Sequence, residues 1–333
     1  MTDTGERRSE PDFRSLEQAA EWFAILNDDS VSVTEREAWQ NWLHASPLHR
    51  RAWGYVETVG RRFGRLREED PAGRSVRTLD TVRGQRLSRR QAIKNLALLA
   101  GAAGLGWVGW QRTPLPEIAR RWRADYRTAV GEVRQELLAD GTRLWLNTNS
   151  AVNVDYDSDQ RRLTLVAGEV LVATAHDPRA RPLRVFTEDG AMQALGTRFT
   201  VRRTDGHTDL AVSEGAVRVS PLSGVPPVRV AAGEGTRFTA DQVAPPRPAD
   251  PAGEAWSQGL LLADERPLDE LVAELSRYRH GHLGVDPEIA DLNVMGAYPL
   301  QDTDRALAML ERALPVTVRR ILPWWVTVSV RRL

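Results

Sequence analysis

Near the N-terminus apolar residues return every three or four positions in three successive stretches. Leu16, Ala19, Ala20, Phe23 and Leu26 form one such face, and Ser15 with Gln18 reads as the capping box that opens the helix. Thr34 with Glu37 repeats the signature ahead of Ala38, Trp39, Trp42 and Leu43. Ser46-Pro47 offers a cap and a first-turn proline for a third helix through Ala52, Val56, Val59, Phe63 and Leu66. The pattern predicts a small all-α unit over residues 1–66. Three short helices bury little surface, so the unit is marginal alone. Its four tryptophans, Trp22, Trp39, Trp42 and Trp53, are many for so small a core. They are either all core or partly exposed to meet a partner.

The pattern then breaks. Residues 67–90 are polar and basic and read as a linker. Leu96 to Trp110 is an uncharged apolar run preceded by Ser88-Arg89-Arg90-Gln91-Ala92-Ile93-Lys94. Paired arginines ahead of an apolar run are the mark of twin-arginine export. Fifteen helical residues reach only about 22 Å, short of a bilayer core. Ala92 and Ile93 extend the run, with Lys94 snorkelling and Trp107 and Trp110 suited to the far interface. No Ala-x-Ala site follows Trp110. The expectation is an uncleaved single transmembrane helix at 91–112, with the N-terminus cytoplasmic; a buried Gly/Ala-rich core helix is the alternative.

From Asp125 the period changes to two, as in Val152-Asn153-Val154-Asp155-Tyr156 and Leu163-Thr164-Leu165-Val166. Gly196-Thr197-Arg198-Phe199-Thr200 recurs letter for letter as Gly235-Thr236-Arg237-Phe238-Thr239. A glycine before a β-branched residue suits a sharp entry from turn to strand. The spacing is irregular, which predicts a β-roll or jelly-roll-like domain over 125–243 rather than a solenoid. After a Pro/Ala-rich linker at 244–253, residues 254–333 read as an α+β module. It has strands near Leu260–Leu262, Leu283–Val285, Leu292–Ala297, Val316–Arg319 and Trp324–Val330, and helices from Pro267 and from Asp302 to Leu314.

Charge and composition add limits. The formal net charge is zero over 333 residues, so no global field favours nucleic acid. Between Arg61 and Lys94, however, eleven basic residues face four acidic ones, which predicts a cytoplasmic side for this flank, a moderate bias because Arg112, Arg120, Arg121 and Arg123 follow the apolar run. Without cysteine there is neither a disulfide framework nor a zinc-thiolate site. His280-Gly281-His282 reads as a solvated pair after a helix end. Asp155, Asp157 and Asp159 read as a solvated turn, since no Ca²⁺ loop with a closing glutamate follows. No nucleophile elbow, zinc-protease helix or nucleotide-binding glycine loop is present, and no cofactor is expected.

Three sets of motifs carry a family resemblance. They are Ala20-Glu21-Trp22-Phe23 with Trp39-Gln40-Asn41-Trp42-Leu43 and Ser46-Pro47-Leu48-His49-Arg50-Arg51-Ala52; Leu165-Val166-Ala167-Gly168-Glu169-Val170 with Ala194-Leu195-Gly196-Thr197-Arg198-Phe199-Thr200-Val201; and Val212-Ser213-Glu214-Gly215-Ala216-Val217. Together they resemble the FecR family of inner-membrane sigma-factor regulators. The C-terminal module is similar to the short N-terminal domain of secretins and TonB-dependent receptors. The resemblance implies cytoplasmic helices that bind an extracytoplasmic-function sigma factor through residues such as Trp22, Trp39, Trp42 and Trp53. It implies a periplasmic region that docks on the signalling domain of a TonB-dependent outer-membrane receptor, typically a ferric-siderophore importer. Site-directed proteases would complete the relay across the inner membrane.

Some members of the family cleave themselves at a Gly-Thr bond matching Gly196-Thr197, by attack of the threonine hydroxyl on the glycine carbonyl. A plain turn-to-strand glycine is the competing reading, and Gly235-Thr236 has the same letters. No turnover of an external substrate is implied. The alternative for the whole chain is an exported periplasmic enzyme or carbohydrate-binding β-protein with an N-terminal extension.

Overall fold

The computed structural model describes residues 13–26, 31–68, 121 and 123–331. They fall into two compact units. One comprises the N-terminal helices, residues 129–134 and the chain from Asp250 onward; the other is the β-rich part through Ala249.

Helix α1 spans Phe13–Leu26, α2 Val33–Ala45 and α3 Pro47–Glu68. In α1 and the first half of α3 the marked faces include the buried Ala19, Ala20, Ala52 and Val56, whereas Ala38 of α2 is exposed, and two of the caps are displaced. The box at α2 is Ser32 with Glu35: Ser32 Oγ accepts from Glu35 N at 3.2 Å, and Glu35 Oε2 accepts from Ser32 N at 2.8 Å. Thr34 therefore lies within the first turn. Ser15 is likewise inside α1 and buried, not at its cap. Ser46 does cap α3, accepting from Leu48 N at 3.1 Å. Ala19 and Ala20 of α1 meet Ala52 and Val56 of α3 with no exposure, because small side chains let the two backbones approach. Gly60 leaves room for Phe23, whose ring tip lies 2.7 Å from where a Cβ would sit.

Among the described residues no helix is long and apolar enough to cross a membrane. At 22 residues α3 has the length, but Arg50, Arg51, Glu57, Arg61 and Arg62 exclude it from hydrocarbon. The expectation of a single transmembrane helix is corrected accordingly. Residues 91–112 and the arginine pair lie outside the described residues, and the observed architecture is N-terminal helices, a large β-sheet domain and a C-terminal α+β module.

The β-domain is organised by the 13-residue strand Arg161–Ala173. Its first half pairs with Ala151–Tyr156 and, in parallel, with Leu183–Phe186. Its second half pairs with Arg143–Leu146 and Arg198–Thr204. Leu163 and Leu165 point into the core, then Val170 and Val172 do, so the inward phase changes by one residue between them. Gly168 sits at that change with φ +82, and an added Cβ would lie 2.3 Å from Ser150 Oγ. One strand thus serves two packed sheet regions by turning a corner at glycine. Phe199, Phe238, Leu144, Leu146 and Met192 fill the interior without exposure above 1%.

The C-terminal module pairs Leu260–Pro267 with Asn293–Pro299, and sets Trp325–Val330 between parallel His282–Val285 and antiparallel Val316–Leu322. Helices α4 (Leu268–Ser276) and α5 (Thr303–Ala313) bury Leu268, Leu271, Val272 and Leu275, and Ala306, Leu307 and Leu310. Asp302 caps α5 by accepting from Arg305 N at 2.9 Å. Trp325 through Ser329 are all buried, so both faces of this strand are covered.

Candidate functional site

The tryptophans of the helical unit are half-buried. Trp39 and Trp53 rings lie 5.1 Å apart, and Trp53 reaches Phe23 at 6.0 Å. Trp42 stacks flat on His49 at 4.5 Å and donates from Nε1 to Gln18 Oε1 at 2.9 Å, tying α2 to α1 and α3. Neither Trp22 nor Trp39 belongs to the apolar cluster of Ala19, Ala52, Trp42 and Trp53, but Trp39 is tied to it through its ring contact with Trp53. The structure therefore brings Trp39, Trp42 and Trp53 together as half-buried packing residues, and leaves Trp22 half-buried outside their cluster. Nearby, Val33 (74% exposed), Ile25, Leu48 and Tyr55 place further apolar surface in solvent.

Two residues that sequence reading did not single out complete this cluster. Phe23 meets Trp324 edge-on at 5.4 Å, and Tyr55 meets Trp325 at 6.2 Å. Arg319 pairs with Glu17 at 2.6 Å and Glu21 at 3.6 Å. The C-terminal hairpin thus packs on α1 and α3, although the sequence reading assigns this hairpin and those helices to opposite sides of a membrane. A signal was available: neighbouring side chains at a strand start point to opposite faces, so Trp324 and Trp325 could not both enter the module's own core. His282 also joins, stacked on Trp325 at 3.9 Å. Burial pushes its imidazole down to about 4, so it is not the solvated turn residue expected.

In the β-domain, Gly196 has φ +74, the left-handed region that favours glycine. Thr197 follows at 5% exposure, and its Oγ1 is buried with no hydrogen-bond partner among the described residues. Thr197 N donates to Thr174 Oγ1 at 2.8 Å, and Thr174 N donates to Thr197 O at 3.0 Å. Gly215 passes so close that a Cβ there would lie 2.3 Å from Gly196 O. The identical letters at Gly235-Thr236 are built differently. Gly235 lies inside the strand Glu234–Phe238, and Thr236 Oγ1 donates to Ala244 O at 2.6 Å. One threonine hydroxyl is committed; the other is free.

A cavity of about 480 Å³ opens beside this turn, lined by Gly196, Thr174, His176, Asp177, Arg161 and Arg181. Its charges are satisfied. Arg161 pairs with Asp140 at 2.6 Å, and Asp177 takes two bonds from the Arg181 side chain. Burial alone would raise Asp140, but hydrogen bonds from Thr142 and Arg161 together with the guanidinium charge hold its carboxyl below the usual carboxylate range. The Arg181 guanidinium lowers Asp177 in the same way. Among the described residues no group of three or more side chains is placed to hold a metal. Asp157 instead accepts from Asp159 N and Gln160 N in a local turn.

Residues 17–59 match the family model described as DUF4880, a domain of unknown function, and residues 124–218 match the model described as FecR protein. The chain carries a FecR domain. The motifs around Gly168, Gly196 and Gly215 all fall within it, and those around Trp22, Trp39 and Ser46 fall within the DUF4880 match, so the resemblance to FecR proteins is borne out. Two crystal structures of a candidate anti-sigma factor from Parabacteroides distasonis ATCC 8503, at 2.50 and 1.65 Å resolution, are similar at 21% identity and a TM-score of 0.49 each. The likeness covers 62% and 61% of this FecR-domain chain and 97% of each of those chains. A likeness this distant carries no functional inference. No curated protein matches the chain.

Proposed function

We propose that this FecR-domain protein regulates an extracytoplasmic-function sigma factor, which the helical unit α1–α3 binds in the cytoplasm. The observation that carries the reading is the order of the two matches, DUF4880 at 17–59 ahead of FecR at 124–218. The half-buried tryptophans and the exposed apolar side chains beside them fit a helical unit that engages a protein partner. The C-terminal module docks on the signalling domain of a TonB-dependent receptor, most simply one for a ferric siderophore, and site-directed proteases act downstream. Self-cleavage at Gly196-Thr197 belongs to the same proposal, supported by the left-handed glycine and the unpartnered Thr197 hydroxyl.

Co-expression of the tagged full chain with extracytoplasmic-function sigma factors of the same genome tests the central claim. One of them is expected to co-purify. Trp22→Ala, which spares the packed aromatic cluster, should weaken that complex by about tenfold or more, the effect of losing one interface tryptophan. Failure of every such sigma factor to co-purify would overturn the regulator reading.

A further inference from the structure

The Gly196–Thr197 peptide is held from two directions and open on a third, and one holder has no assigned part in the chemistry. Thr174 follows the strand Arg161–Ala173 and binds both backbone polar groups of Thr197. Its N–H and its Oγ1 donate to Thr197 O at 3.0 and 3.1 Å, while its Oγ1 accepts from Thr197 N at 2.8 Å. Thr197 N is the nitrogen of the bond that self-cleavage would break. On the carbonyl side, Gly215 lies against the peptide, with its would-be Cβ 2.3 Å from Gly196 O and 3.2 Å from Gly196 C. On the remaining side a Cβ at Gly196 would meet nothing within 4 Å. Gly196 and Thr174 both line the 480 Å³ cavity, which gives water a route to that open side.

We infer that Thr174 is the positioning residue for rearrangement of the Gly196–Thr197 bond, fixing the amide N–H so that the Thr197 hydroxyl faces the Gly196 carbonyl carbon. The inference rests on the self-cleavage reading above. In the first step the Thr197 Oγ1–C bond forms as the hydroxyl gives up its proton. The C–N bond then breaks as the nitrogen gains a proton, leaving an ester and a free amine on Thr197. Water next cleaves the ester, restoring the Thr197 hydroxyl and leaving a carboxylate on Gly196. One water is consumed, and no oxidant or cofactor enters. During attack the nitrogen must leave the peptide plane. A hydrogen bond that pins its N–H to Thr174 Oγ1 sets the side on which the lone pair emerges and limits rotation of the peptide. The unpartnered Thr197 hydroxyl loses no hydrogen bond when it attacks, whereas Thr236 would forfeit its bond to Ala244 O.

The test is a time course on denaturing gels with the purified full chain. Wild type should give two fragments, and Thr197→Ala none. Thr174→Val keeps the shape but removes the hydroxyl, and should slow cleavage by about tenfold or more at an unchanged melting temperature. Thr174→Ser should restore the wild-type rate. Hydroxylamine, which attacks esters, should accelerate wild type yet leave Thr174→Val slow, because the valine acts before the ester exists; a purely structural defect would not separate these two responses. If Thr174→Val does not fold, Thr174→Cys, a weak hydrogen-bonding isostere, should fall between serine and valine. A single full-length band from wild type overturns the self-cleavage reading itself. Cleavage in wild type at the same rate as in folded Thr174→Val or Thr174→Cys overturns the role of Thr174 and leaves self-cleavage standing.

Discussion

Asp140 and Arg161 face each other at 2.6 Å with side chains 3% and 8% exposed. Removing one member of a buried pair strands the other, and such losses run to about 3–5 kcal/mol. Arg161→Met is therefore expected to lower stability by about 3 kcal/mol in urea titrations. Because the folded carboxyl of Asp140 titrates below its ordinary value of 3.8, its contribution is present above that value and is lost as pH falls through the depressed one. Acid unfolding of Asp140→Asn should accordingly be less steep below pH 4 than that of wild type. His282 works over a different window. Its folded value is about 4 against 6.5 unfolded, so between the two the unfolded chain takes up a proton that the folded chain refuses. Stability is full above pH 6.5 and should fall by at most about 3 kcal/mol towards pH 4. His282→Phe, which keeps a ring on Trp325 and cannot titrate, should flatten melting temperature against pH in that range. None of these pairings was legible in the sequence: Asp140 lies 21 positions from Arg161, and His282 gains its burial from Trp325, a distant strand neighbour.

At the scale of elements, periodicity located the helices and the strands of the C-terminal module, but in the β-domain it marked only Val152–Tyr156 and part of Arg161–Ala173, since short strands of a few residues carry too little alternation to stand out. Caps were less legible because Ser, Thr and Glu are common and only backbone geometry selects which pair closes the box; the sequence offered Thr34-Glu37 where Ser32-Glu35 is used. The corner in Arg161–Ala173 makes two glycines comparable. Gly168 and Gly206 both have positive φ, at +82 and +86, but only Gly168 is closed in, with Ser150 Oγ 2.3 Å from an added Cβ. Gly206→Ala should cost about 1 kcal/mol for the backbone alone. Gly168→Ala should cost several times more and loosen the sheet corner, a difference that thermal melts resolve. Trp325, fully buried between the module's strands and α3, should cost about 3–5 kcal/mol when replaced by alanine. Loss of the Tyr55 and Phe23 contacts with that hairpin should then appear as a shift in the emission of the remaining tryptophans.

For the molecule as a whole, the position of Gly196-Thr197 decides what a cut would do. The strand Arg198–Thr204 of the downstream fragment pairs with 168–173 of the upstream one, and Gly190–Ala194 pairs with 217–221 across the same break. Cleavage should yield two bands on a denaturing gel but one species on a native sizing column, with separation only in denaturant; fragments that part in native buffer would contradict this. The hydrophobic pattern by itself determined the helices, the period-two strands that it marked and the glycine turns, because these are local consequences of side-chain spacing and backbone freedom; the family was legible only in the specific letters of the motifs. The tertiary structure alone decided which of two identical Gly-Thr pairs keeps an unpartnered hydroxyl, which charges become buried pairs, and that Trp324 and Trp325 pack on α1 and α3. Each of those depends on residues far apart in the chain. Local spacing cannot specify them, because they exist only after the strands and helices have closed upon one another.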